Sequence, residues 1–208
     1  MDLGLVYKTW QNPKFWLWEA QDLMNAAELL LGREELLEEP YRQAVEQALR
    51  SMSVTNSKQV EVDTSRPNYF PGTLMGSYAI ENLLKGLAIA LTPAKANDAD
   101  ITRIKGHLSS RFIDRHGLLL PVEHRQTLDH LEIVVLWAGR YPVARTREQQ
   151  KRVGFMSKQQ LNELSLVIAM RALYRYLESD LLAHIPDTTR KPELIVLIDD
   201  SSFVSVVE

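Results

Sequence analysis

Tyr78-Ala79-Ile80-Glu81-Asn82-Leu83-Leu84-Lys85-Gly86-Leu87 decides the fold. Ile80, Leu84, Leu87 and Leu91 stand at i, i+4, i+7 and i+11, which is the stripe of a helix face turned into a core. The spacing predicts a central helix over residues 73–91, closed by Pro93. Tyr78, Glu81 and Lys85 fall at i, i+3 and i+7 on a face beside that stripe, and Glu81 precedes Lys85 in the favoured order for an i,i+4 pair. Two readings follow. A solvated pair bordering the core contributes only about 0.2 to 0.5 kcal/mol. A partly desolvated pair is placed to hold Arg140 or His107 and to meet a phosphate-bearing ligand.

Outward from this helix, amphipathic segments recur. Asn12-Pro13 reads as an N-cap with proline at the first helical position, and Gly32 as a left-handed C-cap, which predicts a helix over residues 13–31. A second helical stretch over residues 33–51 contains Pro40, so a break is expected at Glu39-Pro40. Residues 52–70 lack a helical period and read as a loop, with residues 59–62 available to pair as a strand. The polar run over residues 93–106 reads as a connector, and residues 107–116 as a short helix capped by Gly117. Pro121 starts a further helix that reaches Ala138 and stops at Gly139, which leaves residues 140–147 as a basic loop. Ser157 caps a long final helix in which Leu166, Met170, Leu173, Leu177 and Leu181 keep one stripe. After Ile185-Pro186 the tail is rich in Val and Ile and reads as extended. The expected architecture is all-α: an antiparallel bundle of five to six helices over residues 1–185, then an extended tail over residues 186–208.

Composition narrows the function. A chain of 208 residues with 45% hydrophobic content supplies one continuous core. The balance of 24 basic and 27 acidic residues, net −3, excludes a uniformly basic nucleic-acid coat while allowing local basic patches. With no cysteine there are no disulfides, thiolate metal sites or cysteine nucleophiles. No run reaches the roughly 18 to 20 apolar residues a bilayer span needs, and the first residues lack a leader pattern, so a cytoplasmic protein is expected. The five histidines include no i,i+4 pair, and no metal or cofactor is expected. Asp199-Asp200 reads as a solvated pair, and Trp10, Trp16 and Trp18 as packing residues.

The run SYAIENLLKGLAIAL, then GHLSSRF, then a helix ending in AGRYP, with the alanine pair Ala26-Ala27 in the first helix, resembles the HEPN (higher eukaryotes and prokaryotes nucleotide-binding) superfamily. The resemblance runs from about residue 13 to about residue 182. It implies an all-helical bundle and places the family's glutamate and lysine on Glu81 and Lys85, its histidine on His107, and its Arg-Tyr-Pro on Arg140, Tyr141 and Pro142. It also implies a homodimer and a genomic partner such as an antitoxin or a nucleotidyltransferase.

Three functions follow. In the first, a binding module contacts nucleotide or RNA phosphate through Lys85, Arg140, Arg145 and Arg147, beside Glu81, His107 and Tyr141. In the second, the resemblance implies a metal-independent ribonuclease of a toxin-antitoxin or antiviral system, needing an arginine and a histidine four to six residues apart. Arg111 with His116 and Arg125 with His130 meet that spacing, and Arg125 with His130 is the first catalytic candidate. In the third, the bundle surface and the apolar tail bind another protein. The first is the preferred expectation.

Overall fold

The structure is a computed structural model that describes residues 11–55, 64–91, 110–135 and 163–185. Its elements are α1 (Pro13–Thr55), α2 (Phe70–Leu91), α3 (Ser110–His116), α4 (Val122–Val134) and α5 (Glu163–His184). There is no strand among the described residues, and the architecture is an all-α helical bundle.

α2 is the centre and packs against α1, α4 and α5. Its stripe is buried as its spacing requires: Ile80 and Leu83 are 0% exposed, Leu84 and Leu87 1%. Each fully buried leucine of this kind contributes about 1.5 to 3 kcal/mol relative to exposure. Leu166, Met170, Leu173, Leu177 and Leu181 of α5 are likewise buried, on one side of that helix. α2 runs antiparallel to α1, because Gly72 lies against Leu31 and Gly86 against Trp16 and Pro13. α5 lies antiparallel to α1, with Gln21 bonded to Glu178 and Glu28 to Arg171. It therefore runs parallel to α2, Gly76 facing Met170 and Gly86 facing Leu181. The antiparallel pairing of α1 with α2 is set by these side-chain contacts rather than by the 14-residue link, and the long stretch between α2 and α5 allows their parallel pairing.

The main correction concerns α1. Residues 13–55 form one helix of 43 residues, passing through both Gly32 and Pro40. The N-cap is as read: Asn12 Oδ1 accepts the Lys14 N–H at 3.0 Å. Gly32 does not terminate the helix, because tertiary bonds tie the backbone on both sides of it. Arg171 of α5 donates to Glu28, one turn before Gly32, and to Glu35, almost one turn after. Glu34 accepts the Asn68 N–H at 2.8 Å and Glu38 the Tyr69 hydroxyl at 2.9 Å. These glutamates bind the incoming strap of α2 and need a helical spacing to do so. Pro40 removes the bond to the Leu36 carbonyl, but both residues are exposed on the water-facing side, where solvent satisfies that oxygen. Residues 52–55 are helical rather than loop, while the strand expected at 59–62 lies outside the described residues.

α2 begins three residues earlier than expected, because Asn68 Oδ1 accepts the Phe70 N–H and the Tyr69 carbonyl accepts both the Thr73 N–H and its hydroxyl. α3 ends as read: Gly117 has φ +66°, Leu118 N–H donates to the Ile113 carbonyl and Gly117 N–H to that of Asp114. This is the Schellman arrangement, completed by the burial of Leu118 beside Ile113. α4 starts just after Pro121. The expected cap at Ser157, the basic loop at 140–147 and the tail at 186–208 lie outside the described residues. No helix among the described residues is long and apolar enough to cross a membrane.

Replacing Pro40 by alanine restores one backbone bond at an exposed position and is expected to stabilise the fold by about 1 to 3 kcal/mol in urea denaturation. A second expectation concerns alkaline pH. Burial first, then the Glu178 carboxylate that accepts its hydroxyl, pushes the Tyr174 phenol well above its ordinary range. A group raised in the folded state contributes fully below its unfolded pKa, about 10, and loses that contribution as pH climbs through the folded value. Tyr174→Phe is expected to give a shallower loss of stability above about pH 10 than the wild type, read from denaturation midpoints.

Candidate functional site

Leucine-rich packing surrounds one charged pair. Glu81 is 8% exposed as a residue, and the side chains of Glu81 and Lys85 are 10% and 15% exposed. The Lys85 ammonium donates to Glu81 Oε1 at 2.6 Å. The pair is therefore desolvated, unlike the solvated rim pairs of this chain such as Arg42 with Glu46, whose side chains are about half exposed.

Trp16 of α1 closes over this pair, its ring centroid 5.1 Å from the Lys85 nitrogen. The indole face attracts the cation while its bulk excludes water. Gly86 makes this approach possible. A Cβ there would stand 2.8 Å from Leu181 Cδ2 and 3.2 Å from Trp16 Cβ, so a larger residue would displace the Leu181 side chain and press on Trp16. Phe15 meets Trp16 edge to face, with ring centroids 5.7 Å apart. Trp16, read from sequence as a packing residue, thus has a second role at the ion pair. Sequence periodicity places it on α1 but carries no sign of which α2 residue it will face.

A second polar seam joins α1 to α5. Arg171 donates to Glu28 through Nε at 2.8 Å and also to Glu35, and its side chain is 18% exposed. The bond to Glu28, opposed by burial and joined by Glu35, pushes the guanidinium pKa further up, so it stays charged. Next along the seam, Gln21 and Tyr174 both donate to Glu178 Oε1, at 3.0 and 3.2 Å. The two glutamates at i and i+7 on α1 are the one sequence signal for this seam.

The remaining candidate residues divide as follows. Arg125 of α4 donates to Asp114 Oδ1 of α3 at 2.7 Å. His130 is half-buried on the same helix. Five residues at 100° each set these two about 140° apart around α4. His116 stacks on Phe112 with ring centroids 4.4 Å apart. Beyond the sequence candidates, His124 of α4 packs on Tyr176 of α5 at 4.8 Å. His107, Arg140, Tyr141, Arg145 and Arg147 lie outside the described residues, as does Asp199-Asp200. Among the described residues no group of three or more metal-ligating side chains converges.

Comparison with known proteins gives no matching family model, no matching curated protein and no matching solved structure.

The burial of the pair fixes how it responds to mutation. Lys85→Met leaves the Glu81 carboxylate in an apolar setting, and the expected loss is toward the lower end of about 3 to 5 kcal/mol, since the lysine is not fully enclosed. Combining Glu81→Leu with Lys85→Met removes both charges and is expected to recover most of that loss in urea denaturation. A double variant no more stable than Lys85→Met would assign the loss to packing rather than charge.

Proposed function

We propose that this chain is a HEPN-like helical module that binds nucleotide or RNA phosphate beside Lys85. The observation that supports this reading is the enclosed Glu81–Lys85 pair under Trp16. Desolvating two charges costs several kcal/mol per ion before their attraction returns any of it, and well-packed apolar residues are often as stable or more so at such positions. A leucine-rich helix gains little stability from this pair, which favours a use in recognition.

The chemistry agrees with an anion. The ammonium has three donors; one is directed at Glu81, and the side chain retains a solvent-facing fraction. A phosphate oxygen reaching that side would add a charge-assisted bond in a low-dielectric setting, where such bonds are strong. Glu81 keeps the ammonium oriented, and the aromatic wall limits competing water. The sequence supplies further cations in Arg140, Arg145 and Arg147, and the net charge of −3 restricts phosphate contact to a local patch.

The test is equilibrium binding of a labelled single-stranded RNA oligonucleotide, and separately of ATP, to the full chain. Lys85→Gln and Arg140→Ala are each expected to weaken binding by about tenfold or more, with a shallow salt dependence reflecting few phosphate contacts. Circular dichroism checks that each variant keeps its helices. Affinity that survives both substitutions, or no binding by the wild type, rejects the reading.

A further inference from the structure

The polar side chains of α2 fall into two groups. Thr73 and Ser77 donate their hydroxyls to a carbonyl one turn back, and Lys85 donates to Glu81. Tyr78 and Asn82 are half-buried and have no hydrogen-bond partner among the described residues. This sets Tyr78 apart from Tyr69 and Tyr174, whose hydroxyls each donate to a glutamate. Asparagine also ranks low as a helix former, so the central helix gains nothing from Asn82 as structure.

Tyr78, Asn82 and Lys85 stand at i, i+4 and i+7 and share one face. That face is turned away from α5: Gly76, which meets Met170, lies about 120° around α2 from Asn82 and about 180° from Lys85. It borders α1 instead. Trp16, over the Lys85 ammonium, shares its side of α1 with Leu23 and Leu30 at i+7 and i+14, while Gln21 and Glu28 carry the bonds to α5 on another side. The contacts of Leu31 with Gly72 and of Trp16 with Gly86 set Leu23 level with Tyr78 and its neighbours. The seam between α1 and α2 therefore has an ammonium, an amide and a phenol on one wall, and an indole and two leucines on the other.

We propose that this seam takes the base of a nucleotide and that Asn82 selects adenine, an inference that rests on the phosphate reading of Lys85. A carboxamide presents a donor and an acceptor side by side, matching the ring nitrogen N7 and the amino group of adenine. The same edge of guanine offers two acceptors and brings its carbonyl oxygen against the amide oxygen, and uracil has no amino group to donate there. Tyr78 supplies a ring on which a base stacks. The spacing suits the ligand, because Asn82 lies about 4.5 Å and Tyr78 about 10.5 Å along the helix axis from Lys85. A phosphate at Lys85 then leaves the sugar to span the first turn and the base to reach the amide and the ring.

Isothermal titration of the full chain with ATP, GTP, UTP and inorganic tripolyphosphate tests this. ATP is expected to bind at least about tenfold more tightly than GTP, UTP or tripolyphosphate. Asn82→Ala, a change that favours the helix, is expected to bring ATP and GTP to about equal affinity with an unchanged circular dichroism spectrum. Tyr78→Leu is expected to weaken all three nucleotides about fivefold or more relative to tripolyphosphate. A wild type that binds the nucleotides and tripolyphosphate alike overturns the base site and leaves the phosphate reading standing, whereas one that binds none of them rejects both. A preference for ATP that persists in Asn82→Ala overturns the role of Asn82. Single-stranded oligoadenylate and oligouridylate titrated alongside separate an RNA segment from a free nucleotide as the source of the base. Preference for adenine in either series supports the proposal, and its absence from both overturns it.

Discussion

Three positions without side chains on α2 set how closely the rest of the molecule packs. Gly72, Gly76 and Gly86 face Leu31, Met170 and Leu181, so α1 and α5 both settle onto one narrow helix. From that closeness comes the enclosure of Glu81 and Lys85. With a bulkier residue at 86, the Leu181 side chain and Trp16 would have to shift, which loosens the cover over the ammonium. The polar centre of the protein is thus a product of its tightest apolar contact.

The carboxylates of α1 act in the opposite sense. Core contacts draw helices together without choosing a register, whereas Glu28, Glu34, Glu35 and Glu38 each meet a fixed partner on α5 or the strap ahead of α2. Bonds of this kind add modest net stability and a large penalty for misalignment, since a shift of one turn would leave partly buried donors and acceptors unmet. A 43-residue helix carrying a glycine and a proline stays continuous because its register is held at several points along its length.

Legibility in the sequence followed the range of the interactions. The stripes of α2 and α5, the Asn12 cap and the Gly117 stop depend on residues within a few positions of each other, and each was readable from spacing alone. The interruption expected at Gly32 and Pro40 used the same local logic and failed, because Arg171 and the strap at residues 66–69 override propensities of about 1 to 3 kcal/mol. Glu81 and Lys85 were legible as a pair, since both lie on one helix. Their enclosure was not, because it depends on Trp16, which periodicity cannot place opposite Lys85. Arg125 and His130 were legible as a spacing along the chain; their positions about 140° apart around α4 follow only once that helix is known.

The seam between α1 and α5 also bears on how the molecule opens. Arg171 joins residues near the beginning of the described chain to residues near its end, across an interface where few backbones come close. Separating α5 from α1 would break the bonds of a charged, mostly buried guanidinium to two carboxylates. α1, α2 and α5 are therefore expected to open as one cooperative unit, with slow amide exchange spread across all three.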